Sequence, residues 1–365
     1  MPAGEFLTAI GAISGTSMDG IDVALLRSDG TRVERSGKGG SYPYPAALRA
    51  ELLEFLADPA RAETDPLTEL EARTTDAHVA AIQRFAAESN VDLATVDIVG
   101  MHGQTVWHRP EKRFTRQLAD GARAAKALGR DVITRFRHAD VAAGGEGAPF
   151  APLYHRALAE PLAKPLMVLN LGGVGNVTYI DRDATIAFDT GPASALLDDF
   201  VRRRRNMPFD EGGKLAASGK VDTRVLAELM SNPFFAAKPP KSLDRNDFHA
   251  RAKIVDLLGD ADGAATLAAF TVEATAAAIE HVPAKPSRWL VTGGGRLNRF
   301  FMDGLAHRLG VPVEPVEAVG WNGDYLEAEL FGFLAVRSLR GLSLSLPTTT
   351  GVPHPMTGGS LAKAA

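Results

Sequence analysis

The stretch Ile10-Gly-Ala-Ile-Ser-Gly-Thr-Ser-Met-Asp-Gly-Ile-Asp-Val-Ala-Leu-Leu26 sets a glycine- and hydroxyl-rich turn between two apolar runs. It reads as strand, turn, strand, and the turn has the composition of a phosphate-binding hairpin. Gly15 and Gly20 are free to take φ > 0, which lets the backbone close tightly. The Thr16 and Ser17 hydroxyls and the N–H groups of the turn are then donors for anionic oxygens. An ordinary β-turn rich in small residues has the same composition. Roughly half a chain later the design returns: Leu166-Met-Val-Leu-Asn170 as a strand, Leu171-Gly-Gly-Val-Gly-Asn176 as a glycine turn and Val177-Thr-Tyr-Ile180 as the returning strand. Two similar hairpins at that separation are what a duplicated domain produces.

The rest of the chain fits a two-domain α/β protein. Its 365 residues, 45% of them hydrophobic, can bury a substantial core and favour two domains over one. Strands are expected at Phe6 to Ser14, Ile21 to Ser28, Val96 to Met101, Asp131 to Thr134 and Arg288 to Val291. Helical spacing marks Ala46 to Leu56, Leu67 to Glu88, Leu118 to Leu128, Ala264 to His281 and Tyr325 to Arg340. The tail from Pro347 is rich in Gly, Pro and Thr and is expected to be irregular. The first domain is expected over 1–130 together with 345–365, and the second over 131–344.

Composition excludes several functions. The net charge of −4 gives no polyanion-binding face, and no nucleic-acid partner is expected. The run Arg202 to Arg205 follows Ala195-Leu-Leu-Asp-Asp-Phe-Val201 and reads as the solvated, cationic end of an amphipathic helix. The chain has no cysteine, so disulfides, thiolate metal sites and cysteine nucleophiles are out. No apolar run is long enough to cross a bilayer and no basic leader precedes one. A cytoplasmic protein without a membrane partner is therefore expected.

Neither common nucleotide fingerprint is present: G-x-x-x-x-G-K-[ST] and a helix-opening G-x-G-x-x-G are both missing. Two strand-turn-strand hairpins and a late Gly293-Gly-Gly295 suggest instead a nucleotide held between two similar domains. That is the plan of the actin-like ATPases and sugar kinases.

At the level of motifs the chain resembles the anhydro-N-acetylmuramic acid kinase family. The matching segments run in family order: Ser14-Gly-Thr-Ser-Met-Asp-Gly20, His102-Gly-Gln-Thr-Val-Trp-His-Arg-Pro110, Gln117-Leu-Ala-Asp-Gly121, Ala139-Asp-Val-Ala-Ala-Gly-Gly-Glu-Gly-Ala-Pro149, Asn170-Leu-Gly-Gly-Val-Gly-Asn-Val-Thr178, Phe188-Asp-Thr-Gly-Pro192, Lys238-Pro-Pro-Lys-Ser242, Val291-Thr-Gly-Gly-Gly295 and Glu327-Ala328. The resemblance implies an ATP- and Mg²⁺-dependent enzyme that opens the 1,6-anhydro ring of anhydro-N-acetylmuramic acid with water and phosphorylates the freed O6. The product would be N-acetylmuramic acid 6-phosphate, formed in cell-wall recycling. The resemblance also suggests a homodimer. Two rival readings are a non-catalytic sugar or nucleotide sensor on the same fold, and a hexose or amino-sugar kinase that opens no ring.

Each need of that reaction has a candidate. Asp189 follows the apolar run Thr185 to Phe188 and precedes a turn, which would project its carboxylate from a strand end as general base. Asp-Thr-Gly-Pro is also good turn chemistry, with the Asp as a turn cap. Glu327, early in its helix, matches the family glutamate that assists at the reacting sugar; a surface glutamate favoured by the helix dipole reads the same way. The expected nucleotide ligands are Gly15, Thr16, Ser17, Met18, Asp19, Gly20, Ile21 and Asp22 in the first turn, and Asn170, Gly172, Gly173 and Asn176 in the second. Gly293, Gly294 and Gly295 would lie against adenosine. Asp19 would meet the phosphates through Mg²⁺, or hold the turn through its own backbone.

For the sugar, Gln104 and Thr105 supply neutral hydrogen-bonding groups and Arg137 can grip a carboxylate. His102 and His108 read as histidines satisfied by backbone carbonyls, and Trp107 as packing. Three departures from the family pattern bear on sugar binding: Arg135 in place of a common Asp, Ala193-Ser194 in place of a Gly-Asn or Ala-Asn pair, and Leu243-Asp244 in place of Thr-Gly.

Overall fold

The computed structural model describes residues 4–15, 18, 20–243 and 248–364; the candidate residues Thr16, Ser17 and Asp19, and the departure at Asp244, lie outside the described residues. The chain divides into two units, one of Met1–Glu160 with Tyr325–Ala365 and the other of Pro161–Asp324. This division differs from the expected 1–130 and 345–365. The reason is in the contacts of the intervening helices. Asp140 accepts hydrogen bonds from Ser345 and Thr350, and the Tyr154 hydroxyl donates to Glu329. These contacts tie 138–158 and the 326–339 helix to the first unit, so Arg137 and Glu327 belong there rather than with Asp189.

Unit 1 begins with a meander of β1 (Leu7–Ser14), β2 (Ile21–Ser28) and β3 (Val33–Tyr42), followed by α1 (Ala46–Phe55) and α2 (Thr68–Glu88). Then come β4 (Ile98–Arg109), β5 (Phe114–Leu118), α3 (Gly121–Leu128), β6 (Val132–Thr134), α4 (His138–Ala142) and α5 (Ala151–Leu158). Unit 2 holds β7 (Leu166–Leu171), β8 (Val174–Ile180), β9 (Thr185–Pro192), α6 (Ser194–Arg205), α7 (Lys214–Ala217), α8 (Thr223–Met230), α9 (His249–Ala252), α10 (Asp260–Ala276), β10 (Trp289–Thr292), α11 (Arg299–Leu309) and β11 (Val313–Pro315). The chain re-enters unit 1 with α12 (Leu326–Leu339), α13 (Pro347–Thr350) and β12 (Ser360–Ala362).

The two sheets repeat one design. In unit 1 the order is β12-β6-β4-β1-β2-β3 with β5 on β4, and in unit 2 it is β11-β10-β7-β8-β9. Each has an antiparallel three-strand meander whose first strand pairs in parallel with a later strand: β1 with β4, and β7 with β10. A further parallel strand, β6 or β11, extends each. This is the duplicated α/β plan expected of the actin-like ATPases.

Burial follows from that layering. β1 and β7 are buried almost throughout because both faces are covered. α12 is apolar nearly all round, the mark of a helix buried in a core rather than laid on a surface. It lies directly on backbone: a Cβ at Gly11 would stand 1.8 Å from the Ala328 carbonyl, and one at Gly100 2.0 Å from that of Phe331. Those glycines therefore set the depth at which the helix, and Glu327 at its start, docks on the sheet.

Two local expectations change. The segment His102 to Thr105 does not end its strand: Gly103, with φ 76°, lets β4 swing from parallel pairing with β1 to antiparallel pairing with β5. β5 ends on Leu118, the residue expected to begin a helix, and α3 starts only at Gly121, capped by Asp120. The tail is not irregular throughout either. It forms α13 and then β12, which pairs antiparallel with β6.

Candidate active site

In unit 2, Thr292, Asn170, Asn176 and Asp189 are direct cross-strand partners on β10, β7, β8 and β9. Paired residues share a sheet face, so four polar side chains form one row at the carboxyl ends of the parallel strands β7 and β10. That end of an open α/β sheet is where ligands bind. The register on β8 and β9 shifts just beyond the row, at Gly175/Asn176. Asp189 thus sits within β9, not at a strand end before a turn. Gly191 and Pro192 continue the ladder to Gly175 and Val174, and the bulge supplies the bend expected of a turn.

Asp189 is half-buried and tethered. Its Oδ2 accepts the Leu243 N–H at 2.8 Å and its own N–H donates to the Lys241 carbonyl at 3.0 Å. Lys241 directs Nζ to the Phe234 carbonyl at 2.9 Å and lies 4.6 Å from the centre of the Phe234 ring. Burial pulls its pKa down to about 8, against the charge of Asp189, which raises it.

The second turn is pinned to the start of α6. Ser194 donates both its N–H and its hydroxyl to the Gly172 carbonyl at 3.0 Å, and the Ala193 N–H donates to the Gly173 carbonyl at 3.0 Å. The departure at Ser194 thus has a definite task, a hydroxyl bond that closes the turn. Of the late glycines, Gly293 and Gly295 serve packing. A Cβ on Gly293 would stand 2.3 Å from Asn170 Oδ1, and one on Gly295 2.5 Å from Leu171 Cβ. Gly294 is exposed with open space beside it, leaving its backbone accessible to a ligand. Arg296 braces this turn, with Nη1 on the Gly293 carbonyl at 3.1 Å, Nε on Glu317 at 3.0 Å and Nη2 on Asp324 at 2.6 Å.

The first turn is shaped differently from the expectation. Among its described residues Met18 is left-handed (φ 51°) and Gly20 is not; the role of Gly20 is close approach, since a Cβ there would lie 3.3 Å from the Tyr42 carbonyl. The Met18 and Ile21 side chains are core residues, each 1% exposed, so only their main chain is left for a ligand. Even there the Met18 N–H donates to the Gly15 carbonyl at 3.2 Å, and its carbonyl accepts from Arg49 at 2.8 Å. Asp22 accepts from the Ser41 hydroxyl. Gln104 is fully buried and spends its amide on this turn: Oε1 accepts from Ser14 at 2.6 Å, and Nε2 donates to the Gly15 carbonyl at 3.3 Å. Thr105, half-buried, pairs with Gln117 across β4 and β5.

Arg137 and Glu327 both lie in unit 1, and the Glu327 charge acts on Arg137. The His102 Nδ1–H donates to the Gly103 carbonyl at 3.0 Å, leaving Nε2 to accept from Arg137 Nε at 2.9 Å. Burial and the Arg137 charge hold the His102 pKa well below its ordinary value, so the ring is neutral and able to accept. Arg137 Nη1 donates to the Gly147 carbonyl at 2.6 Å, and the Gly147 N–H donates to Asp140 Oδ1 at 2.7 Å. Burial lowers the Arg137 pKa to about 10, while Glu327 and then Asp140 oppose that through their charges. The guanidinium stays charged at neutral pH, with Nη2 uncommitted among the described residues. Glu327 is exposed in the first turn of α12, where the helix N-terminus favours a carboxylate.

His108 is satisfied as the sequence suggests, by the Glu146 carbonyl at 2.9 Å, and the Trp107 indole donates to Glu63 at 3.0 Å. The run Arg202 to Arg205 closes α6 and pairs with Asp199, Asp256 and Asp260. Sequence reasoning missed Asp140, Arg296 and the bracing role of His102. Asp140 and His102 lie inside quoted family segments, whereas nothing local marks Arg296. Among the described residues no three His, Asp or Glu side chains group as ligands for a metal ion, and no helix is long and apolar enough to cross a membrane.

A duplicated α/β chain with a glycine turn beside β1 and β7 and a carboxylate in the polar row of the second sheet has the build of the kinase class. Comparison with known proteins makes this specific. A model of the anhydro-N-acetylmuramic acid kinase family matches residues 7–364. Relatives bearing that name include those of Rhodospirillum rubrum, 50% identical over 96% of this chain and 93% of the relative, and of Paramagnetospirillum magneticum, 49% identical over 97% and 99%. One from Rhodopseudomonas palustris is 50% identical over 98% of this chain and 100% of its own. The chain belongs to the anhydro-N-acetylmuramic acid kinase family, and is a phosphotransferase. Among solved structures, the Acidaminococcus fermentans (R)-2-hydroxyglutaryl-CoA dehydratase component A aligns at TM-score 0.48 and 11% identity, covering 92% of this chain and 99% of that one. A Streptomyces griseus ROK family glucokinase aligns at 0.42 and 14%, covering 90% and 99%.

Proposed function

We propose that the chain uses ATP to convert 1,6-anhydro-N-acetylmuramic acid to N-acetylmuramic acid 6-phosphate. Water adds at C1, the C1–O6 bond breaks, and O6 takes the γ-phosphoryl group as its bond to ADP breaks. Asp189 accepts the proton of the attacking water, a contribution of about 10²–10⁴ in rate for a well-placed base. The observation that carries this reading is the register of Asp189 with Asn176 and Asn170, which puts a tethered carboxylate in one polar row with the second glycine turn.

On the same reading Arg137 grips the lactyl carboxylate through its uncommitted Nη2, and Glu327 assists at the reacting sugar. Gln104 acts by holding the first turn in shape and Thr105 hydrogen-bonds the sugar. The second turn and the open backbone at Gly294 receive the nucleotide. Mg²⁺ bound with ATP would neutralise phosphate charge, with Asp19 as its candidate neighbour. The experiment is turnover of the anhydro sugar with ATP in H₂¹⁸O. Label at C1 with one ADP per sugar supports the reading. Phosphorylation without label marks a kinase that opens no ring, and ligand binding without ADP marks a sensor.

A further inference from the structure

β9 is the outer strand of the unit 2 sheet, so one of its edges has no strand beside it. At Asp189 a strap of residues 237–243 covers that edge and holds the residue twice. The Lys241 carbonyl accepts the Asp189 N–H at 3.0 Å, and the Leu243 N–H donates to Asp189 Oδ2 at 2.8 Å. Both bonds use the strap's main chain, yet residues 237–243 form no helix or strand of their own. The fastening of those two backbone groups therefore has to come from side chains.

Lys241 supplies it. The side chain turns back to the 3₁₀ turn Pro233–Ala236, where Nζ donates to the Phe234 carbonyl at 2.9 Å and to that of Phe235 at 3.4 Å. The ammonium also lies 4.6 Å from the centre of the Phe234 ring and 5.8 Å from that of Phe188, the neighbour of Asp189 on β9. The turn that it grips is itself anchored. The Phe235 ring packs on Phe270 and Phe248, both buried, with centres 5.7 and 5.6 Å apart. It also presses on Gly191, where a Cβ would stand 3.0 Å from it.

The titratable groups facing Lys241 are Asp189 on β9 and His281, at the end of the turn that follows α10. The His281 Nε2–H donates to the Phe235 carbonyl at 2.9 Å, so that nitrogen is no acceptor for the ammonium 3.5 Å away. With its pKa at about 8, Lys241 is charged at neutral pH and attracted to the Asp189 carboxylate.

We infer that Lys241 is a positioning residue of the proposed reaction: its ammonium pins the strap to the Pro233–Ala236 turn, and the pinned strap holds the Asp189 main chain and carboxylate in one orientation. The inference rests on the reading of Asp189 as the base. Without the Lys241 side chain, the strap's two bonds to Asp189 must order the strap instead of being ordered by it.

The test is steady-state kinetics over pH with the anhydro sugar and ATP, together with amide hydrogen exchange, on wild type and four variants. Lys241→Met removes the charge at similar length. It should lower kcat about tenfold or more and leave both KM values within about twofold, because orientation of the base is lost and not binding. The acid limb of its kcat profile should move to higher pH, since a carboxylate that loses a nearby cation and a steady N–H donor takes up a proton more readily. Amides of residues 185–192 and 238–243 should exchange faster. Lys241→Arg keeps the cation and should recover most of kcat. Lys238→Met, at an exposed charge in the same strap, should match wild type. Circular dichroism checks each fold, and Lys241→Gln replaces the Met variant should that one not fold. Wild-type kcat, an unmoved acid limb or unchanged exchange in Lys241→Met, no recovery in Lys241→Arg, or an equal loss in Lys238→Met would overturn the inference. Asp189→Asn separates the two readings. Near-normal turnover there removes the base and this inference with it, whereas an inactive Asp189→Asn beside a normal Lys241→Met removes this inference alone.

Discussion

Asp189 on β9 stands directly opposite Asn176 on β8, and Asn176 directly opposite Asn170 on β7. Three residues separated in sequence by a glycine turn and a strand thereby share one face of the sheet. The carboxylate is held from the other side by the Leu243 N–H. A group fixed at both backbone and side chain is a good candidate for a base, since it pays little to be oriented.

Asp189→Asn is therefore expected to lower kcat by about 10²–10⁴ while ATP and sugar still bind. Stopped kinetic assays with parallel calorimetric titrations check it, and near-normal turnover would remove Asp189 from the role.

Arg137 has committed Nε to His102 and Nη1 to Gly147, so a sugar carboxylate meets a preset guanidinium. Arg137→Ala should raise the sugar KM about tenfold or more with a smaller change in kcat. An unchanged KM places the carboxylate elsewhere.

Asp140 is 1% exposed and accepts from Gly147, Ser345 and Thr350. Asp140→Ala leaves those donors buried without a partner and should cost roughly 3 kcal/mol or more. Urea unfolding measures it, and a loss below about 1 kcal/mol would show that the donors find water.

Gly11→Ala puts a methyl group into the backbone of α12, 1.8 Å from the Ala328 carbonyl. No side chain there can yield, so the loss should exceed the about 1–3 kcal/mol of ordinary overpacking. Thermal melts followed by circular dichroism are the check; a melting temperature equal to wild type would contradict the close approach.

Acid should destabilise unit 1 through its buried histidines. Burial lowers the pKa of His78 to about 4 and of His155 to about 3, and holds His102 well below its usual value. Below pH 6.5 the unfolded chain protonates these rings while the folded one does not, so stability is intact above that pH and falls as pH drops toward 4. Each ring contributes a slope of at most about 1.4 kcal/mol per pH unit. His155→Phe should flatten the fall of melting temperature between pH 6.5 and 4, and an unchanged slope would show that His155 is protonated in the fold.

Much of this was legible in the chain. Alternation of apolar runs with glycine turns marks β1 to β2 and β7 to β8, because a strand between covered faces must be apolar and a tight turn needs small residues. Helical spacing marks α1, α2 and α12 for a similar reason. The family segments singled out Asp189, Glu327 and Arg137. What local pattern could not give was the use to which glycines are put. Gly11 and Gly100 look like weak points in strands, and only the docked α12 shows that they admit a helix backbone.

The sequence by itself determined the duplicated strand-turn-strand design, the residues able to do the chemistry and the absence of thiol chemistry. Tertiary structure decided which unit each residue serves, that Asp-Thr-Gly-Pro is a bulged strand rather than a turn, and that Gln104 shapes a loop from inside the core. The physical reason is that composition and spacing encode interactions between near neighbours. The bonds joining Asp140 to Thr350, Asp189 to Leu243 and Arg35 to Glu329 span long loops and exist only once the sheets have closed around them.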